Sequence, residues 1–397
     1  SYGGSLGVTL GIKEAWVLCW ILWAHLHRFD MQQFYLIGQT LGYGRLQIMV
    51  NLIWPQLLPV LKWPLVAITA YSLSSIEMAL VLGPTNPPTL AILGWQMLLD
   101  ADLMTRQKGL IVSLLLVVLL GVFSCLIQRL CRRPLSSHFS GKRWKIRSIP
   151  GVHVFNSLFL LHVLLVALIL LWSFAASWFY PDLLPNSVTS RAWESLSWKP
   201  FENSLVIGLS SSLLIYAIVV LLLEVFPSTH FNWLIIPILI PALPLVVAQH
   251  QLLTVFDIGP SGFSVFWAHL IFVFPYVFLL MVQAYRQLDE QHLLVGRTLG
   301  LSQWSVLFKI KLPLLVKPSM AAVALGFTVS LAQYLPTQFI GGGRIETLTT
   351  ETLTRYAGGD KRVLGAHASL LMLQALFIYL LAVQCPKWIY AHRKGMH

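Results

Sequence analysis

Apolar runs of about twenty residues, each long enough to cross a bilayer as a helix, recur along the chain and are separated by short stretches rich in Lys, Arg, Gly and Pro. The pattern predicts nine spans, at 8–27, 57–82, 109–128, 151–178, 203–225, 232–255, 262–285, 318–340 and 364–386. At two places the continuous apolar pattern gives way to an amphipathic one. Leu294 to Pro313, LVGRTLGLSQWSVLFKIKLP, is polar and basic, yet Trp304, Leu307 and Phe308 fall at i, i+3 and i+4, the apolar stripe of a short helix. Gly300 is expected to end the preceding helix and turn the chain, because glycine takes backbone angles closed to other residues. Pro313 is expected to end the short helix, because it has no amide donor.

The same arrangement stands 258 residues earlier. Leu36-Ile-Gly-Gln-Thr-Leu-Gly42 matches Leu294-Val-Gly-Arg-Thr-Leu-Gly300, Pro55 matches Pro313, and the stripe reappears as Leu46, Met49 and Val50. Thr89-Leu90 and Asp102 keep the offset with Thr347-Leu348 and Asp360, and several anchors at one spacing indicate an internal duplication. Residues 1–139 then correspond to 259–397. The expected fold is all-α and polytopic: two six-helix repeats, of which 1–128 supplies the last three spans of the first, 129–150 a basic connection, and 151–397 the complete second. The first repeat is expected to begin upstream of Ser1, by more than about fifty residues for its missing spans. Six spans per repeat is an even number, so the two should insert in parallel, related by a pseudo-two-fold axis along the membrane normal.

Composition supports the membrane assignment. The chain is 57% hydrophobic and 11% charged, with mean hydropathy +0.73, whereas a soluble domain is about 25% charged. A net charge of +12 would suit a nucleic-acid partner if it were clustered on one face, but the Lys and Arg lie in short loops beside apolar runs, and no nucleic acid is expected. They fall about two to one on the side that holds 28–56, 129–150, 286–317 and the C-terminus, which is therefore expected to be cytoplasmic. Cys19, Cys125, Cys131 and Cys385 sit within or at the ends of apolar runs with no CxxC pair; neither a disulfide framework nor a metal site is expected.

Candidate chemistry is sparse. No GxxxxGK[ST] phosphate loop, GxSxG or HExxH occurs, so no catalytic residue is assigned and no ATP hydrolysis is expected of this chain. Polar residues inside spans are costly in lipid and mark candidate paths: His25 and its repeat counterpart Gln283, Glu77, Gln333 and Gln338, with Gln249-His250 beside them. Each one alone is more commonly an interhelical hydrogen bond, and Glu77 and Lys62, near opposite ends of one span, are also placed to reach the interfaces.

The spacing from Gly300 to Ile310-Lys-Leu-Pro313 resembles the cytoplasmic EAA loop of binding-protein-dependent ABC importer permeases. The resemblance runs from about Phe201, with Asn203-Ser-Leu at the start of a core helix, to Ala382, and more weakly over 1–128. Two permeases in one chain resemble the ferric-iron and thiamine importers, whose gate-side segment is similar to Ser330-Leu-Ala-Gln-Tyr-Leu-Pro336 and Thr347-Leu-Thr349. Departures are clear: Leu36 and Leu294 stand where the family has Glu, Ile37-Gly38 and Val295-Gly296 replace its two Ala, and Trp54 precedes Pro55. Asp289 and Glu290 lie about one turn earlier in the second copy, and Asp30 further back in the first. The resemblance implies a permease that binds no cofactor itself and docks its two loops on two copies of a cytoplasmic ABC ATPase carrying ATP and Mg. It also implies a periplasmic binding protein that delivers the substrate and a bacterial inner membrane as the location. A secondary transporter of the major-facilitator kind and a non-transporting membrane scaffold are the rival readings. Among substrates, ferric ion, thiamine, sulfate-like anions and polyamines stay open, with a thiamine-like small cation first.

Overall fold

A computed structural model describes residues 3–26, 31–132, 151–178, 181–226 and 232–391. Asp30 and most of the 129–150 connection lie outside them. The chain forms two compact units, 1–164 with 239–245, and 165–238 with 246–397.

The first unit begins with α1 (Gly4–Leu26), α2 (Met31–Thr40), α3 (Arg45–Ile48) and a π-helical turn, Met49–Ile53, which runs directly into α4 (Trp54–Ser74). It continues through α5 (Ile76–Leu82), α6 (Leu90–Leu98), α7 (Leu103–Arg132) and α8 (Gly151–Phe174), the last passing into the second unit. There a two-stranded antiparallel ribbon, β1 (Ala175–Ser177) and β2 (Ser187–Val188), precedes α9 (Arg191–Glu194), α10 (Lys199–Val225) and a 3-10 helix, Asn232–Leu239. Then come α11 (Ala242–Val255), α12 (Gly262–Arg286), α13 (Glu290–Thr298), α14 (Gln303–Val306), a second π-helical turn, Leu307–Lys311, and α15 (Leu312–Leu314). The chain closes with α16 (Val316–Leu331), α17 (Tyr334–Ile340), α18 (Leu348–Gly358) and α19 (Lys361–Ala391). The protein is all-α and polytopic: among the described residues five helices are long and apolar enough to cross a membrane, and up to seven if each of two bent pairs counts as one span.

The 258-residue offset holds for local structure. The two π turns, 49–53 and 307–311, keep it residue for residue, as do α5 and α17. Asp102 accepts amide hydrogens at the start of α7, and Asp360 does so at the start of α19. Hydrogen bonds from Thr105 hold the Asp102 carboxyl below its ordinary range, and one from Arg362 does so for Asp360.

Three of the expected spans are broken. Run 57–82 stops at Ser75 (φ −72°, ψ 86°) and run 318–340 at Gln333 (φ −78°, ψ 87°), the same departure from helical ψ at matched positions. Run 232–255 divides because Pro237, Pro241 and Pro244 remove amide donors that a continuous α-helix needs; only α11 remains as an α-helix there. Pro275, by contrast, is accommodated inside α12.

The second unit packs α10, α12 and α16 around Ile215, Val219, Val273, Val277, Met281 and Ala322. Small residues let these helices close up, as expected where lipid gives no hydrophobic drive for association. A Cβ at Gly326 would stand 2.9 Å from Val277 Cγ2 and 3.1 Å from Ser212 Cβ, and one at Gly208 would stand 2.7 Å from the Phe327 ring. In the first unit α4 packs on α7 through Val66, Ala70 and Leu120.

Overpacking a filled core costs about 1–3 kcal/mol. Gly326→Leu is therefore expected to lower the thermal midpoint of the detergent-solubilised protein, while Gly121→Leu, where an added Cβ meets nothing within 4 Å, leaves it within error; a melting series on both variants checks this.

Candidate functional site

Each copy of the repeated loop is built by the same two devices. In the second copy Asp289 caps α13 by accepting the Gln291 amide at 2.9 Å. At its far end Gly300 takes φ +77°, the Gly300 amide reaches the Arg297 carbonyl at 3.0 Å, and the Leu301 amide reaches the Gly296 carbonyl at 3.2 Å. This is a Schellman closure, which satisfies carbonyls that the helix end leaves without donors. The first copy repeats it: Gly42 at φ +72°, Gly42 N to Gln39 O at 2.9 Å and Tyr43 N to Gly38 O at 3.0 Å.

The second device is the π turn. Contrary to expectation, neither Pro55 nor Pro313 ends its helix; each sits in the first two residues of the α-helix that follows the π turn. A proline can neither donate to the carbonyl four residues back nor tolerate its closeness, and the wider π register moves that carbonyl out of the way. The chain bends later, by 79° between Gln303–Leu314 and Val316–Leu331, and by 69° between Arg45–Pro59 and Leu61–Ser74.

Glycine at the second Ala position of the family pattern has a packing reason. A Cβ on Gly296 would lie 2.5 Å from Ile310 Cδ1, and one on Gly38 would lie 2.4 Å from Ile48 Cγ1. The helix before the turn thus lies against the short helix after it, with Ile48 and its counterpart Val306 buried beneath.

The apolar stripe divides. Trp304 (49% exposed) and Phe308 (64%) are open, whereas Leu307 (1%) is turned into the core formed by α10, α12 and α16. In the first copy Met49 is open at 55%, with Leu46 and Val50 half-buried. Around them stand apolar residues that the sequence reading did not assign to the stripe, four of them noted only as departures from the family pattern. Leu36, Ile37 and Leu41 are exposed, and so are their counterparts Leu294, Val295 and Leu299. The signal was available: three apolar residues in a polar segment, at the same places in both copies.

A tether the sequence reading also missed holds the second loop. Lys311 Nζ stands 2.7 Å from Glu224 Oε2, both side chains buried, and Gln303 Nε2 donates to the Glu224 carbonyl at 3.1 Å. The π turn and α14 are thereby pinned to the C-terminal end of α10. The first copy has Arg45 and Ile53 at these positions.

The residues expected along a translocation path are spread out. In the first unit Glu77 is half-buried and accepts the Tyr71 hydroxyl at 2.9 Å; Lys13 lies 3.7 Å above the Tyr71 ring and 3.7 Å from Glu14. His25 is in α1, but its side chain lies outside the described residues. In the second unit Gln283 is exposed, while Gln333, at the break between α16 and α17, and Gln338, within α17, are half-buried; Gln333 donates to the Val329 carbonyl of α16 at 3.1 Å. The break is held by His269, whose ring nitrogens lie 2.7 Å from Ser330 Oγ and 2.9 Å from Thr337 Oγ1, one on each side of it. Thr349 donates to the Leu331 carbonyl. Gln249 donates to the Ala268 carbonyl at 3.2 Å, and His250 meets Phe339 edge-on. Among the described residues no three His, Cys, Asp or Glu side chains gather as metal ligands would.

Residues 152–392 match the family described as binding-protein-dependent transport system inner membrane component. The whole chain is similar to the inner membrane ABC transporter permease protein YnjC of Escherichia coli K12, 35% identical and covering 74% of that protein. Part of it, 54%, is 26% identical to the spermidine/putrescine transport system permease protein PotC homolog of Mycoplasma genitalium, covering 78% of that protein. A further 26% identity, over 38% of this chain and 58% of the relative, links it to PotC of Haemophilus influenzae.

The divided stripe separates fold from function. Leu307→Ala is expected to destabilise the protein by about 2–5 kcal/mol, the range for truncating a buried Leu, while Trp304→Ala and Phe308→Ala change stability by no more than about 0.5 kcal/mol, as exposed sites do. Thermal denaturation of the three variants in one detergent measures the difference.

Proposed function

We propose how the two loops work from one premise: the chain belongs to the family of binding-protein-dependent transport system inner membrane components. It is a permease subunit of an ABC importer and a multi-pass protein of the inner membrane. Permeases of this family work with an ATPase and a substrate-binding protein. In our reading, loops 31–55 and 289–313 each dock one of two copies of a cytoplasmic ATPase, which carries the ATP and Mg, and a periplasmic protein delivers the substrate. The two copies, residues 1–128 and 151–397, act as a fused pair about a pseudo-two-fold axis, joined by the basic connection 129–150. Substrate passes among the polar residues near the helix breaks, Glu77 in the first copy and Gln333 and Gln338 in the second, with His25 and Gln283 nearer the loops. A small organic cation is the substrate class we favour, supported by the polyamine-transport names of the PotC relatives.

The observation that carries the docking role is the apolar face. Leu36, Ile37 and Leu41, and again Leu294, Val295 and Leu299, are left exposed on loops whose angles are fixed by the same Schellman closure and π turn. A repeated apolar patch of this kind marks an interaction site. Rigid framing also reduces the ordering cost of binding. The second loop adds Trp304 and Phe308, so it offers more apolar area than the first.

Truncating a central aromatic anchor costs about 2 kcal/mol or more. Phe308→Ala is accordingly expected to weaken association with the ATPase by about thirtyfold or more, and Val50→Ala by much less; titration of the purified ATPase onto each variant in nanodiscs reads both. Unchanged association for Phe308→Ala would remove the docking role. Orientation is checked separately: Lys309→Cys, in a background without the native cysteines, should resist a membrane-impermeant thiol reagent in intact cells and react once the membrane is opened.

A further inference from the structure

The second loop is fixed to a single helix, and that helix is clamped at both ends. At its C-terminal end α10 receives Lys311 on the Glu224 carboxylate and Gln303 on the Glu224 carbonyl. At its N-terminal end Asn203 Nδ2 donates to the Glu346 carbonyl at 2.8 Å, and Ser204 Oγ accepts the Leu348 amide at 2.8 Å. Glu346 and Leu348 enter α18, which is joined to the broken α16 by Thr349 donating to the Leu331 carbonyl. With 27 residues α10 is about 40 Å long, so a side-chain clamp at each end connects the two faces of the membrane.

We propose that the Glu224–Lys311 pair is the tie through which displacement of the 289–313 loop is passed to α10, and through α10 to the start of α18. The inference rests on the docking role given to that loop. Glu224 and Lys311 are positioning residues in this scheme. Pairs of buried opposite charges hold tightly because separating them leaves each uncompensated in a poor solvent, and the Lys311 ammonium also complements the negative end of the α10 dipole. Apolar contacts alone allow sliding; a hydrogen-bonded ion pair at 2.7 Å fixes the register between loop and helix. The pair belongs to the second copy alone, since Ile53 occupies the place of Lys311 in the first. Through the tie the second loop moves α10.

The test uses the full transporter, with its ATPase and binding protein, in proteoliposomes. Uptake of the ligand carried by the co-purified binding protein is measured per ATP hydrolysed, together with binding-protein-stimulated hydrolysis and ATPase association. Glu224→Met/Lys311→Met removes both charges and is expected to fold and to bind the ATPase, because an apolar pair replaces a buried ion pair at little cost in stability. Its uptake per ATP should fall about fivefold or more. The exchanged pair, Glu224→Lys/Lys311→Glu, should recover more than half of the loss. A pair that only stabilises the fold would let the Met/Met variant couple like the wild type, and that result overturns the proposal. So does an exchanged pair that folds and binds the ATPase yet recovers nothing. Failure of the underlying docking role looks different: Trp304→Ala/Phe308→Ala would then leave ATPase association unchanged.

Discussion

Hydrocarbon offers a backbone amide or carbonyl nothing to bond to, so an interruption of a helix within the membrane has to be closed from within the protein. The structure is largely a record of how that is done. In the loops too, the turns at Gly42 and Gly300 close their helix-end carbonyls by amides three and five places further along the chain. The helices that meet Pro55 and Pro313 widen into π turns and continue. At the break between α16 and α17, His269 spans Ser330 and Thr337 while Thr349 takes the Leu331 carbonyl. At the matched break in the first unit, Ser74 Oγ donates to the Ala70 carbonyl at 2.9 Å and accepts the Ala242 amide at 2.9 Å.

How far the sequence foretold this depends on the range of the interaction involved. Membrane class and the repeated loop were legible, because apolar run length and a fixed 258-residue offset are properties of the chain itself. The loop turns were legible for the same reason: a glycine at a helix end has few other uses. Hydropathy is blind to breaks such as Ser75 and Gln333, since the residues on both sides are as apolar as those within a helix. Nor did the i, i+3, i+4 rule tell Leu307 from Phe308. That rule puts residues on one side of a helix and is silent on where the boundary between core and solvent cuts across it. Most opaque was the Glu224–Lys311 pair, whose members are separated by 87 residues; to a reader of the sequence alone, one is a charge at the end of a span and the other a charge in a loop.

The two copies share backbone design and differ in the side chains laid upon it. Positions that set chain direction agree: Gly42 and Gly300, Pro55 and Pro313, Asp102 and Asp360, the ψ angle near 86° at Ser75 and Gln333. Several positions within the spans that face neighbours do not. Glu77 has Leu335 opposite it in the repeat, Tyr71 has Val329, and His269 has Gly11. The matched segments keep what satisfies their own backbone and vary more in what each touches.

The buried pair also has a consequence for how the protein is made. Glu224 leaves the ribosome 87 residues ahead of Lys311. At roughly 5–20 residues per second, the carboxylate of newly inserted α10 waits about 4–17 seconds for its cation. Through that interval it must stay hydrated at the lipid headgroups, because an unpaired charge is expelled from hydrocarbon. Final seating of α10 is thus deferred until the second loop has been synthesised, and the loop that meets the cytoplasm comes to act as the latch on the insertion of the helix before it.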